Sequence, residues 1–162
     1  MKYISAPWRE EYVKTAFKMD ECIFCRAHNL KKDKKAYILY RGIYNFIVLN
    51  RYPYNPGHLM IAPYEHISMF EDAKKELTDE LSDLLKLTLK ILKKHYNPHG
   101  FNIGMNIGQS AGAGVVDHFH IHVVPRWTGD SNFMPLFSNT KVMIEDLNTT
   151  YDRLMSLFKK IK

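Results

Sequence analysis

No run of apolar residues in this chain approaches the roughly 20 needed to span a bilayer. Stretches such as Phe46 to Leu49 and Val123-Val124 fall far short. The opening Met1 to Pro7 lacks the apolar core of a secretion signal, so a cytoplasmic address with no membrane partner is expected. Cysteine is scarce. The two present stand as Cys22-Ile23-Phe24-Cys25, too close for a disulfide of much entropic value. That leaves two readings, metal binding or simple packing. Internal repeats, low-complexity tracts and long Pro/Gly/Ser linkers are missing too, which argues for one domain with one core over 1–162. Within it, an N-terminal arm (1–20), a core (21–135) and a C-terminal helical tail (136–162) are expected. Basic residues outnumber acidic ones by 23 to 17, for a net charge of +6. That excess favours anionic ligands without choosing among them. The run Lys31, Lys32, Lys34, Lys35 reads as a solvated loop rather than a nucleic-acid contact.

What is present alternates strands with helices. Tyr37 to Tyr40 and Tyr44 to Leu49 read as a hairpin joined at Arg41-Gly42-Ile43, a connection whose glycine can take positive φ. The turn-rich stretch Asn50 to Gly57 is a loop, and His58 to Pro63 returns as a third strand. Ser68-Met69-Phe70-Glu71 has the spacing of a capping box and predicts a brief helix. The main helix is predicted from near Thr78. It carries Leu77, Leu81, Leu84, Leu85, Leu92 and Tyr96 on one stripe, with Ile91 flanking, and stops at Asn97-Pro98-His99-Gly100. Phe101 to Ile107 alternates as a fourth strand. Leu147, Tyr151, Leu154, Met155 and Phe158 mark a second amphipathic helix. The fold class expected is α+β.

The chemistry gathers in Val115 to Pro125, where His118, His120 and His122 alternate with Phe119, Ile121 and Val123. A period of two places the three imidazoles on one face of a strand. Imidazole is suited to proton transfer, nucleophilic attack and metal ligation, so the row could be a metal cup or a phosphoryl-transfer face. Same-face residues on a strand stand roughly 6.6 to 7 Å apart, which separates His118 from His122 by roughly 13 Å. Ligands about 2.0 Å from one zinc ion cannot include both. The glycine-rich segment Ile107 to Gly114 leads into this row, and its small residues can crowd backbone N–H groups around a phosphate. Asn50 and His58 flank a turn that can bring an amide and a fourth imidazole to the same place. The CxxC pair offers two zinc ligands of the four a closed site needs, and histidines must complete it.

Together, the row His118-Phe119-His120-Ile121-His122-Val123-Val124, the preceding Asn106-Ile107-Gly108, and Asn50 with Pro56 to Pro63 resemble the histidine triad (HIT) superfamily. The likeness runs from about Cys22 to Pro135. Ala6 to Arg9 and Pro125 to Met134 look like the diadenosine polyphosphate phosphorylase and hydrolase branch. The resemblance implies a five-stranded antiparallel sheet with a long central helix and a C-terminal helix, usually in a homodimer. It implies a nucleotidyl hydrolase or transferase acting on dinucleoside polyphosphates such as diadenosine tetraphosphate, with water or phosphate as acceptor. His120 would be the nucleophile, with His122 and His58 beside the phosphates. Nucleotide contacts would come from Asn50, Asn106, Gln109, Ser110, Gly112, Ala113, Gly114, Val115 and His122. A structural zinc on Cys22, Cys25, His66 and His118 is implied by the same likeness. One departure stands out: Gly112-Ala113-Gly114-Val115-Val116 is one residue longer than the usual segment and lacks its hydroxyl, a role open to Gln109 or Ser110. A purine-nucleoside phosphoramidase and a non-catalytic, zinc-stabilised nucleotide-binding protein are the alternatives. The base pocket is expected from Ile43, Phe46 or the N-terminal segment.

Overall fold

The computed structural model describes residues 21–130 and 145–161. Five strands, β1 (Ile38–Arg41), β2 (Asn45–Leu49), β3 (Leu59–Pro63), β4 (Gly100–Gly104) and β5 (Ile121–Arg126), form one antiparallel sheet in the order β1-β2-β3-β5-β4. Among the described residues four α-helices accompany it: α1 (Ile23–Asn29), α2 (Asp33–Ala36), α3 (Lys75–Tyr96) and α4 (Leu147–Phe158). This is the expected α+β architecture. The arm 1–20 and the segment 131–144 lie outside the described residues, and with them the readings made for Ala6 to Arg9 and for Ser131 to Met134.

The central strands β2 and β3 are apolar on both faces because both faces are covered. On one side Ile47, Leu49, Leu59, Ile61, Phe119, Ile121 and Val123 pack against Leu77, Leu81, Leu84, Ile91 and Leu92 of α3 and Tyr151, Leu154 and Phe158 of α4. On the other, Phe46, Val48, Met60 and Ala62 pack against Phe24 of α1 and Ala36 of α2. The second layer is the one that matters for chemistry, because the histidines project into it.

The helix α3 begins at Lys75, one turn before the predicted start. Leu77 already belongs to the buried stripe, so the N-terminus extends to include it. It ends where predicted, at Asn97 in the left-handed conformation (φ 44°). At Phe70–Asp72 there is one turn of 3-10 helix whose N-cap is Met69, with no side-chain cap bond. The capping box expected from Ser68 and Glu71 does not form there. The hairpin turn is corrected as well. Gly42 does not adopt positive φ. Glycine is required for room, since a Cβ there would stand 2.6 Å from a carboxylate oxygen of Glu80 and 2.9 Å from the Asn45 carbonyl. Glu80 reaches over from α3 to accept the N–H groups of Ile43, Tyr44 and Asn45 at 2.6, 2.7 and 2.8 Å. It also accepts the Asn45 side-chain amide at 2.9 Å. The lysine run is not wholly loop, because Asp33–Ala36 closes one helical turn within it. Among the described residues, no helix is long and apolar enough to cross a membrane.

Candidate active site

Only part of the histidine row is sheet. β5 starts at Ile121, and the ladder to β3 ends at the Ile61–Ile121 pair. Pro63, two residues further along β3, has no N–H with which to continue it. The Phe119 N–H donates instead to the Ile67 carbonyl at 2.8 Å. The alternation of faces nevertheless survives: Phe119, Ile121 and Val123 enter the α3 and α4 layer, while His118 and His120 lie against Phe24 of α1 and His122 meets His58 just before β3. Phe24 lies against both His118 and His120, with ring centroids 5.1 and 4.6 Å apart. His120 and His122 are edge to face at 4.7 Å.

Each imidazole has a different set of partners, and the partners define its state. His118 is fully buried. Its Nε2 donates to the Pro63 carbonyl at 3.0 Å, leaving Nδ1 unprotonated. That atom stands 3.4 Å from Cys22 Sγ, 3.7 Å from Cys25 Sγ and 3.3 Å from His66 Nδ1, while Cys25 Sγ lies 3.3 Å from His66 Nδ1. The four donor atoms lie within 4.8 Å of one another and could hold a metal ion. Tetrahedral zinc geometry, with about 2.05 Å to nitrogen and about 2.3 Å to sulfur, separates two nitrogens by about 3.3 Å and a nitrogen from a sulfur by about 3.5 Å. The observed separations fit that donor set. Burial pushes the His118 pKa down to about 4, keeping the ring in the neutral form a ligand needs. Burial, reinforced by Cys22, pushes the Cys25 thiol up to about 11.

His120 is buried too, and its Nδ1 donates to the His118 carbonyl at 3.0 Å. Its lone pair is therefore at Nε2. Burial lowers its pKa, outweighing the stabilising effect of that carbonyl on the charged form. His122 meets His58, whose Nε2 is 3.0 Å from His122 Nδ1. The Tyr54 N–H donates to His58 Nδ1 at 3.0 Å, so the proton of His58 resides on Nε2 and is given to His122 Nδ1. A neutral His122 then carries its own proton on Nε2. Tyr54 stacks on His58 at 5.0 Å, and the Asn50 amide nitrogen stands 3.4 Å from both His58 ring nitrogens.

A cleft opens beside these groups, lined by Asn50, Asn106, Gly114, His120 and His122 together with the apolar Ile23, Phe24, Ala27, Ala36, Val48 and Met60. Of the sequence-derived candidates, these five polar or loop positions reach it. His58 stands behind His122. In the glycine-rich segment, Gly108 (φ 79°) and Gly112 (φ 80°) flank a 3-10 turn at Gln109–Ala111. Gln109, Ser110 and Gly112 are exposed, Ala113 is buried, and Val115 packs toward the second layer. None of these five forms part of the cleft wall. Asn106 reaches back to the Gly112 carbonyl at 3.5 Å. Of the positions expected to form the base pocket, the N-terminal arm lies outside the described residues and neither Ile43 nor Phe46 lines the cleft. Ile43 is 79% exposed at the hairpin turn, and Phe46 is buried in the second layer. Among the described residues, helix α1 supplies Ile23, Phe24 and Ala27 to the apolar wall, beside Ala36, Val48 and Met60. Its apolar residues are too few for a periodicity to show, and the only signal for it was its place beside the CxxC pair.

Residues 31–129 match the HIT domain family, and the chain belongs to that family. AP-4-A phosphorylase of Mycobacterium tuberculosis is 42% identical over 118 residues, covering 73% of this chain and 60% of that protein. The chain thus spans about three-fifths of the length of this curated relative. A histidine triad nucleotide-binding protein from Sulfolobus tokodaii, described as hypothetical, superposes with a TM-score of 0.66 at 28% identity, covering 86% of this chain and 90% of its own. A zinc-bound histidine triad family protein from Mycobacterium smegmatis superposes with a TM-score of 0.66 at 20% identity, covering 87% and 95%. That last likeness is one of fold.

Proposed function

We propose that this protein cleaves dinucleoside polyphosphates of the diadenosine tetraphosphate kind, passing one nucleotidyl group through a covalent bond to His120. The observation that carries this is the state of His120. Its proton is committed to the His118 carbonyl, its ring is buried against Phe24, and it lines the cleft. A neutral imidazole with Nε2 free of hydrogen is a competent nucleophile near pH 7. Attack of the Nε2 lone pair on the α-phosphorus forms a P–N bond and breaks the P–O bond to the remaining nucleoside polyphosphate. That group leaves as a phosphate anion and requires no proton to depart. The His122 Nε2–H supplies a hydrogen bond to the phosphate oxygens as charge builds on them. Water then attacks phosphorus to release the monophosphate, or inorganic phosphate attacks to release the diphosphate. The named activity of the mycobacterial relative supports the phosphate route.

Asn50, Asn106 and Gly114 are the cleft-wall groups placed to bind the nucleotide, with the apolar side formed by α1 residues and Val48 and Met60 holding the base. Zinc is the metal we assign to Cys22, Cys25, His66 and His118. The donor set is two sulfurs and two nitrogens, and their spacing suits a closed tetrahedron with no position left for substrate. The metal's contribution is then structural. Two copies would pair through β4, an edge strand whose Asn102, Ile103 and Gly104 are exposed. A soluble cytoplasmic enzyme is the setting that matches these features.

The test is trapping with α-labelled diadenosine tetraphosphate. Wild-type protein quenched in acid-free denaturant should retain label on histidine, and His120→Ala should retain none. Adding inorganic phosphate should shift the released product from AMP toward ADP. Equal turnover by the two proteins would remove His120 from the role.

A further inference from the structure

Beyond the residues that touch substrate, a network anchored on Asp130 holds the turn that carries His58. The Asp130 carboxylate accepts from Arg126 at Nε (2.6 Å) and at a terminal nitrogen (2.8 Å). It also accepts the Trp127 N–H at 3.1 Å and the Asn55 amide at 2.8 Å. These donors, Arg126 first, hold the Asp130 carboxyl well below the usual carboxylate range. Arg126 is fixed in turn by the Asn102 side-chain oxygen at 2.5 Å. Asn55 is buried, and the same amide nitrogen also donates to the Pro125 carbonyl at 2.9 Å. Two acceptors face that nitrogen, so its orientation is determined. The Asn55 carbonyl accepts the His58 N–H at 3.1 Å, closing the turn. Within that turn the Tyr54 N–H fixes the His58 tautomer. The same strand, β5, therefore holds the turn at both ends: Pro125 holds Asn55, and His122 meets His58.

We propose that Asn55, Asp130 and Arg126 are positioning residues that set the His58 tautomer and thereby present the His122 Nε2–H to the phosphates. None of the three side chains lines the cleft, and each acts through His58. The kinetic part rests on the nucleotidyl-transfer reading given above, whereas the tautomer part does not. Without the Asn55 anchor, the turn can move and the Tyr54 N–H no longer faces His58 Nδ1. The His58 proton can then shift to Nδ1, leaving two unprotonated nitrogens facing each other across the His58–His122 contact. A misplacement of about 1 Å in such a constellation can cost about a hundredfold in rate.

The experiment uses full-length, metal-loaded protein labelled with 15N-histidine. In the wild type, long-range proton–nitrogen spectra should show His58 protonated on Nε2 alone. Asn55→Ala should mix or reverse that pattern. Its kcat for diadenosine tetraphosphate should fall about tenfold or more, with KM changed by less than about twofold. In a His58→Ala background, adding Asn55→Ala should cost nothing more. An unchanged imidazole spectrum in Asn55→Ala, or an equal loss of kcat in both backgrounds, overturns the proposal. Should Asn55→Ala not fold, Asp130→Asn keeps the shape, removes the charge that holds Arg126, and is judged by the same spectrum and cycle. A wild type that turns over no dinucleotide would sink the functional reading alone, since the spectrum still decides the positioning role.

Discussion

Glu80 shows how one side chain can replace a ladder of backbone bonds. The β1–β2 turn leaves three consecutive N–H groups, those of Ile43, Tyr44 and Asn45, without strand partners, and the Glu80 carboxylate takes all of them. Charge-assisted bonds of this kind are stronger than neutral ones. Ile43 and Tyr44 are exposed and water can take their N–H groups, but Asn45 is buried, so Glu80→Ala would strand its donors and a loss of about 1 to 2 kcal/mol is expected. Urea unfolding should show the midpoint falling with an unchanged slope; a midpoint within error of the wild type would contradict this account. The sequence did not disclose the interaction, because Glu80 was legible only as an acidic residue early in a helix. Gly42 was legible as a turn residue, yet its reason was misread: it makes space for the carboxylate instead of bending the chain backward. The histidines were different. Their alternation alone separated His118 from His122, and their partners in the structure set the tautomers: the proton sits on Nε2 in His118 and His122 and on Nδ1 in His120.

Among the elements, periodicity made the strands, α3 and α4 readable, since each buries a stripe or a face long enough to leave a pattern. Short elements did not leave one. Helix α1 has seven residues, far below the length at which helix forms by propensity. Tertiary contacts therefore hold it: Phe24, 2% exposed, packs on Phe46 and both imidazoles, and Cys22 and Cys25 bracket the helix start with their donors turned toward His66 and His118. The same helix gives Ile23, Phe24 and Ala27 to the cleft. Removing the metal with a chelator, or substituting Cys25→Ser, is expected to speed amide exchange across residues 22–29 by at least about tenfold while α3 keeps its protection. Elemental analysis of the untreated protein should find about one zinc per chain. Unchanged exchange in α1 after verified metal removal would show that packing alone secures it.

For the whole molecule, the sheet ends on β4, and its exposure pattern bears on assembly. Ile103 is 45% exposed, and a side chain added at Gly100 or Gly104 would meet nothing within 4 Å. An apolar edge strand of this kind is a template for pairing. Sedimentation should give a dimer for the wild type, and Ile103→Lys should shift it toward monomer with little change in melting temperature; a wild-type monomer would dismiss β4 as the interface. Overall topology was only half legible. The strands could be counted from hairpin signals and alternation, and the family resemblance implied that they form an antiparallel sheet, but no local signal placed β5 between β3 and β4. Nothing local to either strand encodes a neighbour about 60 residues away.

That placement also sets the order in which the molecule can come to life. β3 and β4 are separated in the sheet until β5 inserts between them, and β5 is the last strand among the described residues. Before it arrives, His58 has no His122 to face and Asn55 has no Pro125 carbonyl to hold. Pairing over such distances is entropically slow. The pairs that meet across these strands, His58 with His122 and Asn55 with Pro125, therefore come together only when β5 docks on β3.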